Sequence, residues 1–358
     1  MPFADTGHQR PAADSRYPCL GGCIGQTRHL IANPENDMAR MMLGLALLFC
    51  LAAHASAASP ATHEPAYTFT DLTDDYTRFF DRTAGLKENQ RVAAFESDFI
   101  PVFPEFYGKA RFPDRTQEKF DARIAKSFAG FPAIRERYTR TAAAFQTMLN
   151  PALDRFRQTF PDMQALPPVY LLHSLGEMDG GTRKLGGKLV LVFGADVMAS
   201  AHDFIDEQPF LDHELFHVYH QHYFPECDAV WCGLWTEGLA VYVAQQMNPR
   251  SSDSQLLLIQ PEPIRPQVDA HLEDAVCAAR KLLSSSKESD VEALFSFKRL
   301  NPTVPPRAGY YIGYLAAKEA GKTRSLAQLA HLSPDEARPV LESALAALTA
   351  LAALAACR

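Results

Sequence analysis

The sequence predicts an α+β fold that is mostly helical, with one small mixed or antiparallel sheet. Apolar residues recur at three- and four-residue spacing up to residue 165, which is typical of amphipathic helices. Short runs rich in valine, leucine and aromatic residues follow at 167–175 and 188–193, as expected of strands, and helical patterns then return. Strands in the middle of a chain with helices on both sides indicate the α+β class.

The first 57 residues are expected to be an N-terminal extension plus a signal peptide, removed from the mature chain. One arginine and an apolar run over 41–53 follow Met38, and Ala55-Ser56-Ala57 has the A-x-A form of a signal-peptidase site. We therefore expect Met38, rather than Met1, to be the start, and Met38–Ala57 to direct export to the periplasm or outside the cell. The apolar run is short for a membrane anchor, so no stable membrane span is predicted after signal removal.

Composition limits the partners of the chain. Hydrophobic residues make up 47% and charged residues 22% of 358 residues, with a formal net charge of -7. These values fit a globular protein with a sizeable core. The sequence has no basic stripe, so nucleic acid is not an expected partner.

Four cysteines remain after signal removal, and in an oxidising compartment they could form up to two disulfides. They are Cys227, Cys232, Cys277 and Cys357. The first two are close enough in sequence for a small loop staple, and a Cys277–Cys357 bond would hold the C-terminal helix, but the pairing stays open. A zinc–thiolate site is the weaker interpretation because no C-x-x-C pair is present.

The helices come in an N-terminal and a C-terminal region. Residues 58–165 are predicted to form several helices, divided by the prolines at 101, 104, 113 and 132. Residues 251–358 are predicted to be helical too, with proline-rich loops at 259–267 and 301–307.

The middle region, 166–250, carries the two predicted strands. The glycine-rich segment 176–187 between them suits a hairpin or a mobile flap. A helix over 207–222 then ends before Pro225, and a second helix begins near Trp235.

The first of these two helices contains the pattern H-E-x-x-H, as His213, Glu214 and His217. Residues four apart share one helix face, so both imidazoles can reach one zinc ion. Glu214 sits about 100° around the helix, where it can hold a water bound to that metal. Leu211 and Leu215 lie on the opposite side, which predicts a core face and a histidine face.

A third ligand is predicted on the second helix. Glu237 follows His217 with nineteen residues between them and is expected early in that helix. Two histidines and one glutamate, with one position open to water, form a standard catalytic zinc set. The sequence therefore predicts one zinc ion per chain.

These motifs resemble those of the gluzincins, the thermolysin-like zinc metallopeptidases. The segment "LWTEGLA" is similar to the W-x-x-E-G-x-A signature of the zinc aminopeptidases in that group, and Tyr310-x-x-Gly313 is similar to their Y-x-x-G segment. Bacterial proteins described as predicted zinc-dependent proteases look most similar. The resemblance covers residues 165–335. It implies a thermolysin-like catalytic core with the sheet packed on the H-E-x-x-H helix, and a tyrosine, Tyr310, that stabilises the oxyanion.

The sequence also departs from the family patterns. "GEMDGG" (176–181), with Asp179, is only a faint echo of the aminopeptidase G-x-M-E-N segment, so specificity for a free amino terminus does not follow. Val241 stands where the thermolysin group has an aspartate that orients a histidine. His220 and Tyr223 exclude the metzincin pattern.

Several other residues admit structural interpretations. We expect His220 to be a partly exposed helical histidine rather than a group beside the metal, and His222 to be structural. Trp235 is predicted to anchor the core, and Tyr311 or Tyr314 could take the role of Tyr310. No role is assigned to His173 or Arg307 from the sequence.

The leading expectation is an exported zinc metallopeptidase that hydrolyses peptide bonds in a peptide or protein substrate, with Glu214 as general base and the strand at 188–193 along the cleft. The alternative is a non-catalytic zinc-binding protein of the cell envelope, which would share the ligands but not need Glu214. A helical protein with a fortuitous motif is the third possibility.

Overall fold

A four-stranded sheet lies among helices in the computed structural model, which describes residues 67–202, 206–225 and 227–349. The strands are β1 (Phe69–Asp71), β2 (Val169–Leu172), β3 (Gly180–Leu185) and β4 (Lys188–Gly194), in the order β1-β2-β4-β3. β1 and β2 are parallel, β2 and β4 are parallel, and β3 is antiparallel to β4. The predicted α+β class, mostly helical with a small mixed sheet, is confirmed.

Helices make up most of the described chain. Their bounds are α1 (Thr73–Arg82), α2 (Glu88–Ala94), α3 (Pro104–Tyr107), α4 (Gln117–Thr159), α5 (Ala195–Ala201), α6 (Gln208–His220), α7 (Val230–Met247), α8 (Ile264–Ala270), α9 (Leu272–Leu282), α10 (Glu288–Phe295), α11 (Ala308–Ala320), α12 (Leu326–Ala330) and α13 (Pro334–Thr349). Within the described residues, every helix is too short or too polar to span a bilayer. The predicted signal segment Met38–Ala57 lies outside the described residues.

The sheet differs from its prediction at two strands. β1 has three residues, too few to show an alternating pattern, and sits in the region predicted to be helical. The glycine-rich segment is not only a turn: it contains β3, and the hairpin turn is Gly186-Gly187, with φ of 55° and 78°. Two consecutive residues with positive φ are typical of the two-residue turns that join the strands of a β-hairpin. β4 is therefore paired on both sides, so the expectation that this strand pairs with an extended substrate along the cleft is wrong.

One proline prediction is also wrong. Pro132 does not divide the N-terminal region, because α4 continues through it for 43 residues and also contains Pro151. A proline inside a helix costs about 3 kcal/mol. Phe128, Phe131 and Tyr138 all point from this part of α4 into the core, and burial of one such side chain is worth about 1.5–3 kcal/mol. The buried aromatic face therefore offsets the proline.

Helix α6 is central to the arrangement and contacts α4, α7 and β3. Its observed bounds fall within the predicted 207–222. Helix α7 begins at Val230, earlier than predicted, so Glu237 lies in the middle of this helix rather than near its start. Almost all of α6 is buried, so both the leucine side and the histidine side face other parts of the protein.

Helices α7 and α11 touch through their backbones. A Cβ atom added to Gly238 would lie 2.1 Å from the carbonyl carbon of Gly313, and one added to Gly313 would lie 2.2 Å from the carbonyl oxygen of Leu234. Only glycine permits this approach. Because Gly238 follows Glu237 and Gly313 is one turn from Tyr310, the crossing brings those two side chains to the same region.

The loop between α6 and α7 carries one predicted cysteine pair. The sulfur atoms of Cys227 and Cys232 lie at disulfide distance, with their Cα atoms 6.0 Å apart. Cys277 is buried on α9, and Cys357 lies outside the described residues.

Candidate metal centre

Three predicted ligands come together between α6 and α7. The Nε2 atoms of His213 and His217 are 3.0 Å apart. Oε2 of Glu237 lies 3.4 Å from His213 Nε2 and 3.3 Å from His217 Nε2. His213 is buried and the other two are partly buried. The chain has brought two imidazole nitrogens and one carboxylate oxygen to one point, and this group could hold a metal ion.

The charges of the three groups are coupled. Burial lowers the pKa of His217, but the adjacent Glu237 carboxylate outweighs this and raises it to about 9. Burial raises the pKa of Glu237, yet the charge on His217 and the hydrogen bonds from both imidazoles hold it well below its ordinary value. Burial lowers the pKa of His213. In the metal-free protein His217 and Glu237 therefore form an ion pair, and a metal must displace a proton to bind.

Glu214 lies beside the three ligands, on the next position of α6. Its side chain is buried, and Oε2 has no hydrogen-bond partner among the described residues. Burial raises the pKa of Glu214 to about 8. Leaving such an oxygen unpaired costs free energy unless a ligand or water satisfies it.

β3 forms the wall over Glu214. A Cβ on Gly180 would lie 3.0 Å from the Cγ and Cδ atoms of Glu214 and 2.7 Å from the ring of Phe210. The Gly180-Gly181 pair thus permits a close approach of strand to helix that a side chain would block. This explains the two glycines at the start of the strand, and it places one edge of the described sheet at the candidate site.

Asp179, which precedes β3, is held by a buried histidine. Nε2 of His202 lies 3.4 Å from Asp179 Oδ2, and Nδ1 lies 2.8 Å from Glu207 Oε2. Burial lowers the pKa of His202, but hydrogen bonds to the two carboxylates raise it to about 9. A charged His202 therefore bridges them and fixes Asp179 at the cavity. No pattern in the sequence pointed to His202, because its partners lie on separate segments.

A cavity of about 550 Å³ surrounds the three ligands. Tyr310 lines it, whereas the hydroxyl of Tyr311 donates to Asp269 at 2.9 Å and Tyr314 is buried against Tyr242. Among the three tyrosines considered from the sequence, Tyr310 alone therefore lines this cavity. Burial raises the pKa of Tyr310, and the charge of Glu237 raises it further. The hydroxyl therefore stays protonated and can donate a hydrogen bond.

The expectation for His220 is wrong. It is buried, its ring lies between those of Phe216 and Phe224, and both centroid distances are 5.1 Å. Burial, and then the charge on His217, lower the pKa of His220 to about 3, so the ring is neutral. Phe224, beyond the end of α6, covers the side that the helix pattern left exposed.

The remaining predicted residues occupy ordinary positions. Trp235 is buried in the core, as predicted, and Val241 is buried on α7. His173 is buried with its ring stacked 3.6 Å from that of Tyr76. His222 is exposed just beyond α6.

Arg307 also lines the metal cavity, and the sequence offered no reason to expect it there.

Comparison with known proteins adds no relative: no family model, no curated protein and no solved structure matches this chain. The functional case therefore rests on the geometry of the residues around His213, His217 and Glu237.

Proposed function

We propose that the protein is an exported zinc-dependent peptidase of the gluzincin type. His213, His217 and Glu237 hold one zinc ion, and the substrate is a peptide or an extended protein segment. Export rests on the signal-like segment Met38–Ala57, and the enzyme class rests on the site.

The spacing of the three ligand atoms carries the proposal. They lie 3.0, 3.3 and 3.4 Å from one another. Ligands arranged tetrahedrally about 2.0–2.1 Å from zinc are about 3.3 Å apart. Two nitrogens and one carboxylate oxygen are also a donor set that suits zinc and leaves a fourth position open. The residues present therefore fit a catalytic zinc ion.

A zinc ion bound there would act as a Lewis acid that polarises a carbonyl group and lowers the pKa of water. Glu214 accepts the proton from the attacking water and later donates it to the leaving amine. Burial raises the pKa of Glu214 to about 8 in the metal-free protein, and a divalent cation nearby would lower it toward neutrality, where a general base that must also act as an acid works best. The hydroxyl of Tyr310 donates a hydrogen bond to the oxyanion, which forms as the carbonyl carbon becomes tetrahedral.

β3 is the strand suited to hold an extended substrate. It lies at one edge of the described sheet, next to Glu214, and its outer backbone groups have no strand partner there. A peptide could add to this edge through main-chain hydrogen bonds. The role first expected of β4 therefore passes to β3.

The alternative is a zinc-binding protein without turnover. It would use the same three ligands. A purely structural site, however, gains nothing from a buried carboxylate with an unpaired oxygen, and Glu214 has one. The open cavity beside the ligands also favours a catalytic site over a closed structural one.

The test combines metal analysis with a mixed peptide library, with and without a chelator. We expect one zinc per chain and chelator-sensitive cleavage. Glu214→Gln should keep zinc and lose roughly three orders of magnitude in rate, whereas Glu237→Ala should lose zinc. Glu136→Gln, on the exposed face of α4, is the matched control and should change neither.

Each negative result has a distinct meaning. Stoichiometric zinc without any cleavage would favour the binding-protein alternative. Absence of zinc, or normal zinc content in Glu237→Ala, would refute the proposed ligand set. Full activity in Glu214→Gln would refute the mechanism.

A further inference from the structure

Arg307 has an unusual backbone conformation at the metal cavity. It precedes α11 with φ 60° and ψ 17°, in the left-handed region that favours glycine. In the described residues the other non-glycine residues with positive φ are Leu175 and Leu257, and Leu257 lines the same cavity. Strained backbone of this kind concentrates at functional sites. An arginine gains nothing from this conformation, so the reason for its presence lies in the side chain.

That side chain is directed at the candidate active site. The guanidinium carbon lies over the ring of Tyr310, 4.6 Å from its centroid. Among the described residues no carboxylate oxygen lies within 4.0 Å of its nitrogens. Burial raises the pKa of Asp179, but His202 outweighs this and lowers it, and the charge of Arg307 lowers it a little further. The cavity thus contains a guanidinium without a direct ion-pair partner in this part of the chain.

Arg183 is the other arginine at this cavity, and its situation differs. Its Nε lies 3.6 Å from Glu177, and its guanidinium donates to the carbonyl of Thr182. Glu177 in turn pairs with Arg111 and Arg123. The charge of Arg183 is therefore partly neutralised within the protein, whereas that of Arg307 is directed into the space where a substrate would lie.

We propose that Arg307 is a specificity-determining residue that binds a carboxylate of the peptide substrate beside Tyr310. The inference rests on the proposed peptidase function and extends it to substrate class. A guanidinium binds a carboxylate through two parallel hydrogen bonds, and such pairs are strong when partly shielded from water. The carboxylate comes either from the carboxyl terminus of the peptide or from a glutamate or aspartate side chain.

Binding without turnover tests this directly. The protein is zinc-loaded Glu214→Gln, and the probe is fluorescein-labelled hexaalanine in three forms: the free acid, the C-terminal amide, and the amide with one alanine replaced by glutamate at each position in turn. Fluorescence polarisation gives the Kd of each. We expect at least one acidic form to bind roughly 10- to 100-fold more tightly than the plain amide, the range for a charged hydrogen-bonded pair.

Variants assign the preference to Arg307. Arg307→Gln should abolish it, and Arg307→Lys should retain part of it because the charge remains. Arg265→Gln is the matched control, because Arg265 lies 4.8 Å from the ring centroid of Tyr311 outside the metal cavity. It should leave the preference intact. Preference for the free acid identifies the carboxyl terminus as the source, and preference for a glutamate form identifies a side chain.

Stability gives a second, independent readout. Arg307→Gly should raise Tm by about 1–3 °C, because glycine adopts this conformation without strain, while it also removes the carboxylate preference. A purely structural arginine would instead lower Tm when replaced.

Equal or undetectable binding of the acidic and amidated peptides, or a preference that survives Arg307→Gln, would overturn the inference. Cleavage by the wild-type protein is scored separately. Carboxylate-dependent binding without cleavage would refute the peptidase proposal alone, and cleavage without any carboxylate preference would refute the role of Arg307 alone.

Discussion

Replacement of Gly238 by alanine tests whether the contact between α7 and α11 sets the geometry of the site. The new Cβ would lie 2.1, 2.3 and 2.6 Å from three backbone atoms of Gly313. An ordinary contact begins at 3.4 Å, so the helices must separate by about 1.3 Å, the difference between 3.4 and 2.1 Å. Backbone atoms cannot rotate away as side chains do. We therefore expect a loss at the upper end of the overpacking range, about 3 kcal/mol.

The separation has a chemical consequence that depends on which helix moves. A shift of α7 carries Glu237 away from the two histidines, and we expect zinc affinity to fall roughly 10- to 100-fold, as for other changes that disturb ligand orientation. A shift of α11 carries Tyr310 away, and a misplacement of about 1 Å can lower the rate roughly 100-fold. Zinc competition with a chromophoric chelator, peptide cleavage and thermal unfolding measure the three effects.

Gly130→Ala is the control for this experiment. It makes the same change inside helix α4, where an added Cβ meets nothing within 4 Å, so it should be neutral or stabilise by up to about 1 kcal/mol. If Gly238→Ala matched this control in Tm, zinc affinity and rate, the helix contact would have no role in positioning the site.

Three further predictions concern protonation and the oxyanion. Because the folded-state pKa of Glu214 is raised to about 8, its ionisation destabilises the metal-free protein progressively as pH rises from about 4.5 to 8. Glu214→Gln should thus gain Tm over wild type across this window, and a constant difference would contradict the assignment. The raised pKa of His217, about 9, contributes stability that is fully present below pH 6.5 and lost as pH rises through 9. Zinc displaces that proton, so the zinc-induced rise in Tm should grow between pH 6.5 and 9, and a pH-independent rise would mean that His217 is not a ligand. Tyr310→Phe should lower kcat roughly 100- to 1,000-fold with zinc content unchanged, and an unchanged kcat in steady-state assays would remove Tyr310 from the mechanism.

Periodicity predicted the elements whose environment is uniform along their length. α6, β2 and β4 each have a continuous buried pattern, and their positions follow from it. β3 could not be predicted in this way, because its glycines have low strand propensity and are there for their closeness to Glu214. The prediction that Pro132 ends a helix was wrong because burial of the aromatic face of α4 outweighs the local cost of a proline inside the helix.

In the candidate site, too, residues linked by local spacing could be predicted and residues brought together by tertiary structure could not. His213, Glu214 and His217 are linked by helix spacing, which is local, and a single sequence displays it directly. The burial of His220 depends on Phe224 folding back over it, and the hold of His202 on Asp179 depends on segments brought together by the fold. The conformation of Arg307 is likewise a product of tertiary structure, so composition and spacing carry no trace of it.

The edge position of β3 has a consequence for the behaviour of the protein at high concentration. An open strand can template the growth of an intermolecular sheet, and proteins restrain this with charged residues on the exposed strand. Arg183 and Lys184 occupy β3, and two molecules paired antiparallel at these strands would bring like charges close together. The repulsion disfavours self-association, whereas a short acidic or neutral peptide is free of it. The charges on β3 therefore disfavour pairing between two molecules of the protein but not the binding of the proposed peptide substrate.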